Sequence, residues 1–187
     1  MAREFSEVVF SLVDLKVATY NILTDVVGTA VDLPEAQELE FSAEGDTDEI
    51  KAEGYLQHLL TVVTHATVSL SSAGVPFTAL AIMTGMANDS SDTTPNQQRT
   101  SQLTPGGAGL PYFAVGGKLV GEQSDDLHVG LVCVKLDSIP SWKAEQNKFV
   151  MSPASGKAIA PNSRKLIYLR GHETAADIDF TTLFSGL

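Results

Sequence analysis

The chain has 187 residues, of which 43% are hydrophobic and 19% charged, enough apolar content for one well-packed domain and too much for a disordered chain. Its 23 acidic and 12 basic residues leave a net charge of −11, which repels phosphate backbones and anionic lipid and argues against gripping nucleic acid or a membrane surface. No stretch approaches the ~20 apolar residues of a membrane helix, MAREFSEVVF lacks the apolar centre of a signal peptide, and Cys133 is the sole cysteine, so no intrachain disulfide can form. A soluble protein of a reducing cytoplasm is expected.

Along the chain, polarity alternates mostly with period two, the mark of strands. Residues 8–20 predict one long strand or two broken ones. In QELEFSAEG, alternation puts Glu38, Glu40 and Glu44 on one face and Leu39, Phe41 and Ala43 on the other. Gly45 and Asp46 are expected to reverse the chain into TDEIKAEG, where Glu49, Lys51 and Glu53 share a face. Unpaired carboxylates are too costly to bury, so this acidic wall must meet water in a groove, on an outer face or in a channel. Residues 55–72 follow as an apolar, β-branched strand broken near Thr64 and His65. In AGVPFTALAIMTG, Pro76 suits a first helical turn, Phe77, Leu80, Ala81 and Met83 can share an apolar flank, and Gly85 can end the helix in the left-handed conformation. A short helix plugging the core is expected.

Residues 86–109 are polar and lack aromatic residues, which predicts a long loop. PYFAVGGKLVGEQSDDLHVGLVCVKLD predicts a hairpin turning at 121–126, its second strand apolar on both faces and burying the Cys133 thiol. Residues 139–145 and 149–159 are expected to pair about a turn at Gln146, Asn147 and Lys148, and residues 165–170 to form a last strand. The whole is a mainly β chain: a single β-sandwich or barrel domain over 1–187 with one short helix and short N- and C-terminal arms.

Reactive chemistry is sparse. The sequence contains no G-x-S-x-G elbow, P-loop or H-E-x-x-H, and TPGGAG follows a polar loop instead of a strand, which argues against a phosphate cradle. Asp125, Asp126 and His128 fall where a hairpin turn is predicted and read as exposed turn acids. The break near Thr64 leaves the relation of His58 to His65 undetermined, and His172 with Glu173 stands alone. No nucleophile, base and orienting group converge, so no catalytic residue, cofactor or metal is expected, and no enzyme.

The order of these segments resembles the major tail tube proteins of long-tailed, non-contractile bacteriophages, over roughly residues 12–174. The opening VDLKVATYNILTDVVGTAVDLPEAQELEFSAEGDTDEIKAEG is similar to the family's strand, G-T-x-V-x-L-P turn and acidic hairpin. THATVSLSSAGVPFTALAIMTG is similar to its strand and small helix, with Met83 at a position often held by leucine. TPNQQR, PYFAVGGKLVG, LHVGLVCVKLD and FVMSPASGKAIA continue the likeness. SWKAEQNKFVMSPASG carries fewer acidic and aromatic residues than the family's penultimate strand pair.

The resemblance implies a structural virion protein, made in the bacterial host cytoplasm, whose subunits complete an inner β-barrel on assembly into hexameric rings. The rings stack into a tail tube that encloses the tape measure protein, meets the tail terminator and distal tail proteins, and conducts DNA without binding it specifically. Glu38, Glu40, Glu44, Glu49 and Glu53 are then the candidates for an acidic lumen. Thr93, Thr94, Pro95, Asn96, Gln97 and Gln98 are the candidates for a loop that docks on a neighbouring subunit. The alternatives are a tail terminator or joining protein, a tube-like ring protein of type VI secretion, or a monomeric β-sandwich binding module. The last would cluster aromatic residues on loops, whereas Trp142 is the only tryptophan and aromatics make up 7% of the chain.

Overall fold

The period-two pattern becomes strand through most of the chain. The computed structural model describes residues 9–52, 55–73, 76–91, 93–104, 109–121, 126–142, 146, 151–161, 164–172 and 174–185. In chain order these form β1 (Val9–Asn21), β2 (Val26–Val27), β3 (Val31–Asp32), β4 (Ala36–Ala52), β5 (Tyr55–Ala73), α1 (Phe77–Thr84), β6 (Ala87–Ser91), β7 (Gln98–Gln102), β8 (Phe113–Gly121), β9 (Asp126–Leu136), β10 (Met151–Ile159), β11 (Tyr168–His172) and α2 (Phe180–Leu183). The fold is mainly β, as expected. One antiparallel sheet runs β2-β1-β8-β9-β10-β5-β4, with β11 beside β10 on the edge of β9 and β3 beside β2 on the edge of β1.

The sheet curls so that β4 comes up against β1. Its concave side holds the main core: Leu15 and Val17 of β1, Val68 and Leu70 of β5, Phe113 and Val115 of β8, Leu131 and Val134 of β9, with Leu39 and Phe41 of β4 packed against them. The short helix α1 inserts Ala79 and Met83 into this space. It starts after Pro76 and stops at Gly85, whose φ of 74° is the left-handed conformation that glycine adopts at least cost. Both ends are where the sequence puts them.

A second apolar layer lies on the convex side, as the two apolar faces of β9 predict, but sequence reasoning missed the segment that supplies it. The C-terminal segment lays Ile178, Phe180, Leu183 and Phe184 over Ala18, Ala114, Val132 and Cys133. Two glycines make room for it: a Cβ on Gly116 would stand 2.6 Å from the Phe180 ring, and one on Gly130 2.6 Å from the Phe184 ring. Gly130→Val is therefore expected to lift α2 and cost about 1–3 kcal/mol by overpacking, read as a lowered midpoint in urea without loss of the far-ultraviolet β signal. Between these layers Cys133 is fully buried, and burial pushes its thiol up to about 11, so it stays protonated and unreactive at neutral pH.

Four expectations are corrected. The chain does not reverse at Gly45 and Asp46, because β4 runs straight through them. Gly45 is there for a close approach: a Cβ on it would stand 2.3 Å from the Val62 carbonyl oxygen, opposite an irregularity where β5 carries Thr64 as an extra residue. The polar loop 86–109 contains a hairpin of its own, β6 paired with β7, closed by Asn96 N–H donating to the Thr93 carbonyl at 2.9 Å. Its strands are almost wholly exposed, so no apolar alternation could announce them. Residues 139–142 are not strand; β10 pairs instead with β5 along Met151 to Ala158 and with β9 from Gly156 to Ile159. Finally, Asp126 and His128 are not exposed turn residues; each is 2% exposed within β9. Asp125 and Glu173 lie outside the described residues.

Candidate assembly surface

The β4–β5 hairpin is longer than the body it belongs to. Its base, residues 36–43 and 66–73, is tied into the sheet because β10 pairs with β5 from Ala66 to Ala73. Beyond the Thr64 irregularity, residues 45–52 pair only with β5 and form an arm roughly 26 Å long at 3.3 Å per residue. Residues 45–49 and 59–64 of the arm are exposed on both faces, four aliphatic side chains among them: Leu59 at 58%, Leu60 at 63%, Val62 at 51% and Val63 at 55%. Four aliphatic residues side by side in water are unusual for an isolated subunit. Moreover, β4 ends the sheet, with no described strand beyond it, which leaves an edge of the kind other chains add to.

Alternation assigns the faces. Between Glu38 and Asp48, β4 is regular, so Glu38, Glu40, Ser42, Glu44, Asp46 and Asp48 share the face that carries Ser71, Ser69, Thr67, His65, Val62 and Leu60 across the ladder. The opposite face carries Leu39 and Phe41 into the body and then, past the exposed Ala43, Gly45, Thr47 and Glu49 beside Val63, Thr61 and Leu59. A hydrogen bond between the Thr47 and Thr61 hydroxyls at 3.1 Å fixes that pairing. Thus Glu38, Glu40 and Glu44 stand together as predicted, and all are exposed. Asp46 and Asp48, assigned from sequence to a turn and its sequel, extend their row to about 33 Å at 3.3 Å per residue. Glu49, grouped with the row by the expected turn, projects from the other face. Glu53 lies outside the described residues.

Where the arm leaves the body, Glu44 Oε2 lies 3.3 Å from His65 Nε2, and the Thr64 hydroxyl lies 3.0 Å from His65 Nδ1. These contacts brace the irregular step instead of forming a reactive pair. On another surface, Thr93, Thr94, Pro95, Asn96, Gln97 and Gln98 form the exposed tip of the β6–β7 hairpin. A cleft of about 190 Å³ separates that hairpin from the start of α1, lined by Phe77, Thr78, Asn88, Asp89, Gln97 and Arg99 among others. The hairpin is moored by the Asn88 amide donating to the Phe77 carbonyl at 2.7 Å.

Among the described residues, no group of three or more His, Cys, Asp or Glu could hold a metal ion, and no helix is long and apolar enough to cross a membrane. No protein-family model matches the sequence, and no curated protein matches it.

Proposed function

We propose that this chain is a self-assembling structural subunit, a tail tube protein of the long-tailed, non-contractile phage kind, forming hexameric rings that stack around a tape measure and conduct DNA at ejection. The observation that carries this reading is the β4–β5 arm. Among the described residues it offers an unpaired edge, an aliphatic surface and an acidic row to solvent, and another molecule could cover the first two. A second copy answers the geometry best, because ring closure turns each subunit's hazardous edge into a repeated contact and lets neighbouring sheets join into a barrel. The acidic row would then line the channel, where six copies of a −11 chain carry −66 and keep DNA from adhering. Electron microscopy and sedimentation of the purified chain at rising concentration test this. Long tubes support the reading, isolated rings favour a terminator, and monomers at every concentration refute assembly.

In the same reading the β6–β7 tip docks on an adjacent subunit. Its hairpin buries almost nothing within one chain, so ordering its residues, at about 1–2 kcal/mol each, would be offset by contacts made in the tube. Limited proteolysis is expected to nick free subunits between residues 93 and 98 and to spare them in tubes. Equal cleavage in both states would make the tip a passive connector.

A further inference from the structure

The C-terminal segment, residues 174–185, is fastened to the convex face of the sheet at two points of different chemistry. At its far end Arg164 Nη1 donates to the Phe184 carbonyl at 2.9 Å, while Arg164 Nε and the Tyr20 hydroxyl both donate to Asp25 Oδ1, at 2.8 and 2.7 Å. Nothing there titrates near neutrality: the Arg164 guanidinium, then Tyr20, holds the Asp25 carboxyl below its usual range, and burial raises the Tyr20 phenol. At the near end Ala176 N–H donates to Asp126 Oδ2 at 2.6 Å, and the Ala176 carbonyl lies 3.2 Å from His128 Nε2. A carbonyl can only accept, so that nitrogen carries the proton. Against His128 packs the His172 ring, with 4.4 Å between centroids.

The surroundings of His128 are crowded with positive charge. Lys118 of β8 stands opposite it in the ladder and reaches Asp126 Oδ2 at 2.9 Å. Arg170 of β11 stands opposite it on the other side, and His172 stands opposite Asp126. The segment's own acids give no relief: Asp179 is spent accepting from Thr181 N–H and the Thr182 hydroxyl at the start of α2, and Asp177 is exposed. If both imidazoles were charged, Lys118, His128, Arg170 and His172 would face one buried carboxylate, Asp126.

We propose that residues 174–185 form an acid-releasable strap, whose near end is unfastened when His128, wedged between Ala176, Lys118 and His172, takes up a proton, while the Arg164 end resists. The direction follows from linkage. Burial first, then the charge of His172, holds His128 below its ordinary value of 6.5, outweighing the Ala176 carbonyl and Asp126, which favour the charged ring. With the strap released and the ring hydrated, His128 returns towards that ordinary value. Between the two values the released state binds more protons, so docking is strongest at neutral pH and weakens as pH falls through 6.5. Burial alone would raise the Asp126 carboxyl, but the Ala176 N–H, Lys118 and His128 together hold it below its usual range. It therefore stays ionised over this interval, and His128 is the group that switches.

Hydrogen exchange of the full chain at pH 7.5 and 5.5, corrected for intrinsic rates, tests the proposal. Protection of residues 174–185 is expected to fall several-fold at the lower pH, about tenfold being the ceiling for one imidazole released at its ordinary value, while that of β5 and β10 changes less than about twofold, because release is local. His128→Gln is expected to remove most of that difference, and His172→Gln a smaller part, because burial outweighs the charge of His172 in holding His128 low. Equal protection of the strap at both pH values in the unaltered chain would overturn the proposal, as would an undiminished loss in the His128→Gln/His172→Gln chain. Nuclear magnetic resonance of the His128 imidazole provides a measurement independent of any variant's folding: it must titrate in the interval where protection is lost, and a strap that opens while that ring stays neutral would also overturn the proposal.

Discussion

Aspartate at both Leu59 and Val63 is expected to stop assembly while leaving the subunit folded. These side chains lie on the arm face that continues the core-facing side of β4, away from the acidic row, and each is more than half exposed. Substitutions at such positions usually change subunit stability by about 0.5 kcal/mol, so the urea midpoint should barely move. Assembly should respond far more strongly. Fully burying an aliphatic side chain contributes about 1.5–3 kcal/mol; with Leu59 58% and Val63 55% exposed, roughly half of that remains to be gained, about 2–3 kcal/mol for the two. At 1.4 kcal/mol per decade, the concentration needed for assembly should rise by about 10- to 10²-fold. Sedimentation velocity of the folded variant measures this directly. Aspartate at Leu60 and Val62, beside Asp46 and Asp48 on the acidic face, should have the smaller effect if that face lines water. Assembly of the Leu59/Val63 variant at the unaltered concentration would remove the arm's apolar face from the contact.

Local signals explain what could be read from the sequence. Pro76 and Gly85 bracket α1 because one suits a helical start and the other an αL stop, properties that need no tertiary partner. The β9 strand was legible as doubly covered because its apolar run has no polar alternation, although what covers its convex side, α2, is a four-residue helix with no periodic signature. Gly45 shows the limit of such signals. Glycine followed by aspartate fits a turn and also fits a close approach of two strands, and only the position of Val62 decides between them. That one ambiguity misplaced Asp46, Asp48 and Glu49. His128 and Asp126 were misread for a related reason: the turn residues beside them look alike in sequence, while Lys118 and Ala176, which bury and satisfy them, lie 10 or 48 residues from His128. The paired strands β6 and β7 left no trace because both faces meet solvent.

If the chain forms the proposed tube, reversing charge along the acidic row is expected to slow DNA passage without disturbing assembly. Glu38, Glu40 and Asp46 suit the purpose because they are exposed and share one face, whereas Glu44 also braces His65 at 3.3 Å. Lysine at all three changes a subunit by +6, taking the formal charge from −11 to −5 and a hexameric ring from −66 to −30. The total matters less than its location, since a line of lysines along a channel would meet one phosphate per ~1.7 Å of duplex. Neutralised phosphates release counterions, so the variant tubes should hold DNA at low salt and let it go as salt rises, with a slope that grows with the number of lysines in reach. Glu49→Lys provides the control, because it adds positive charge from the opposite face of the same strand. If the row lines the channel, the triple variant retards ejection in a salt-dependent way and Glu49→Lys does not. Normal ejection through assembled triple-variant tubes would place the row on the outer wall, where its charge keeps tubes apart in solution instead of keeping DNA moving.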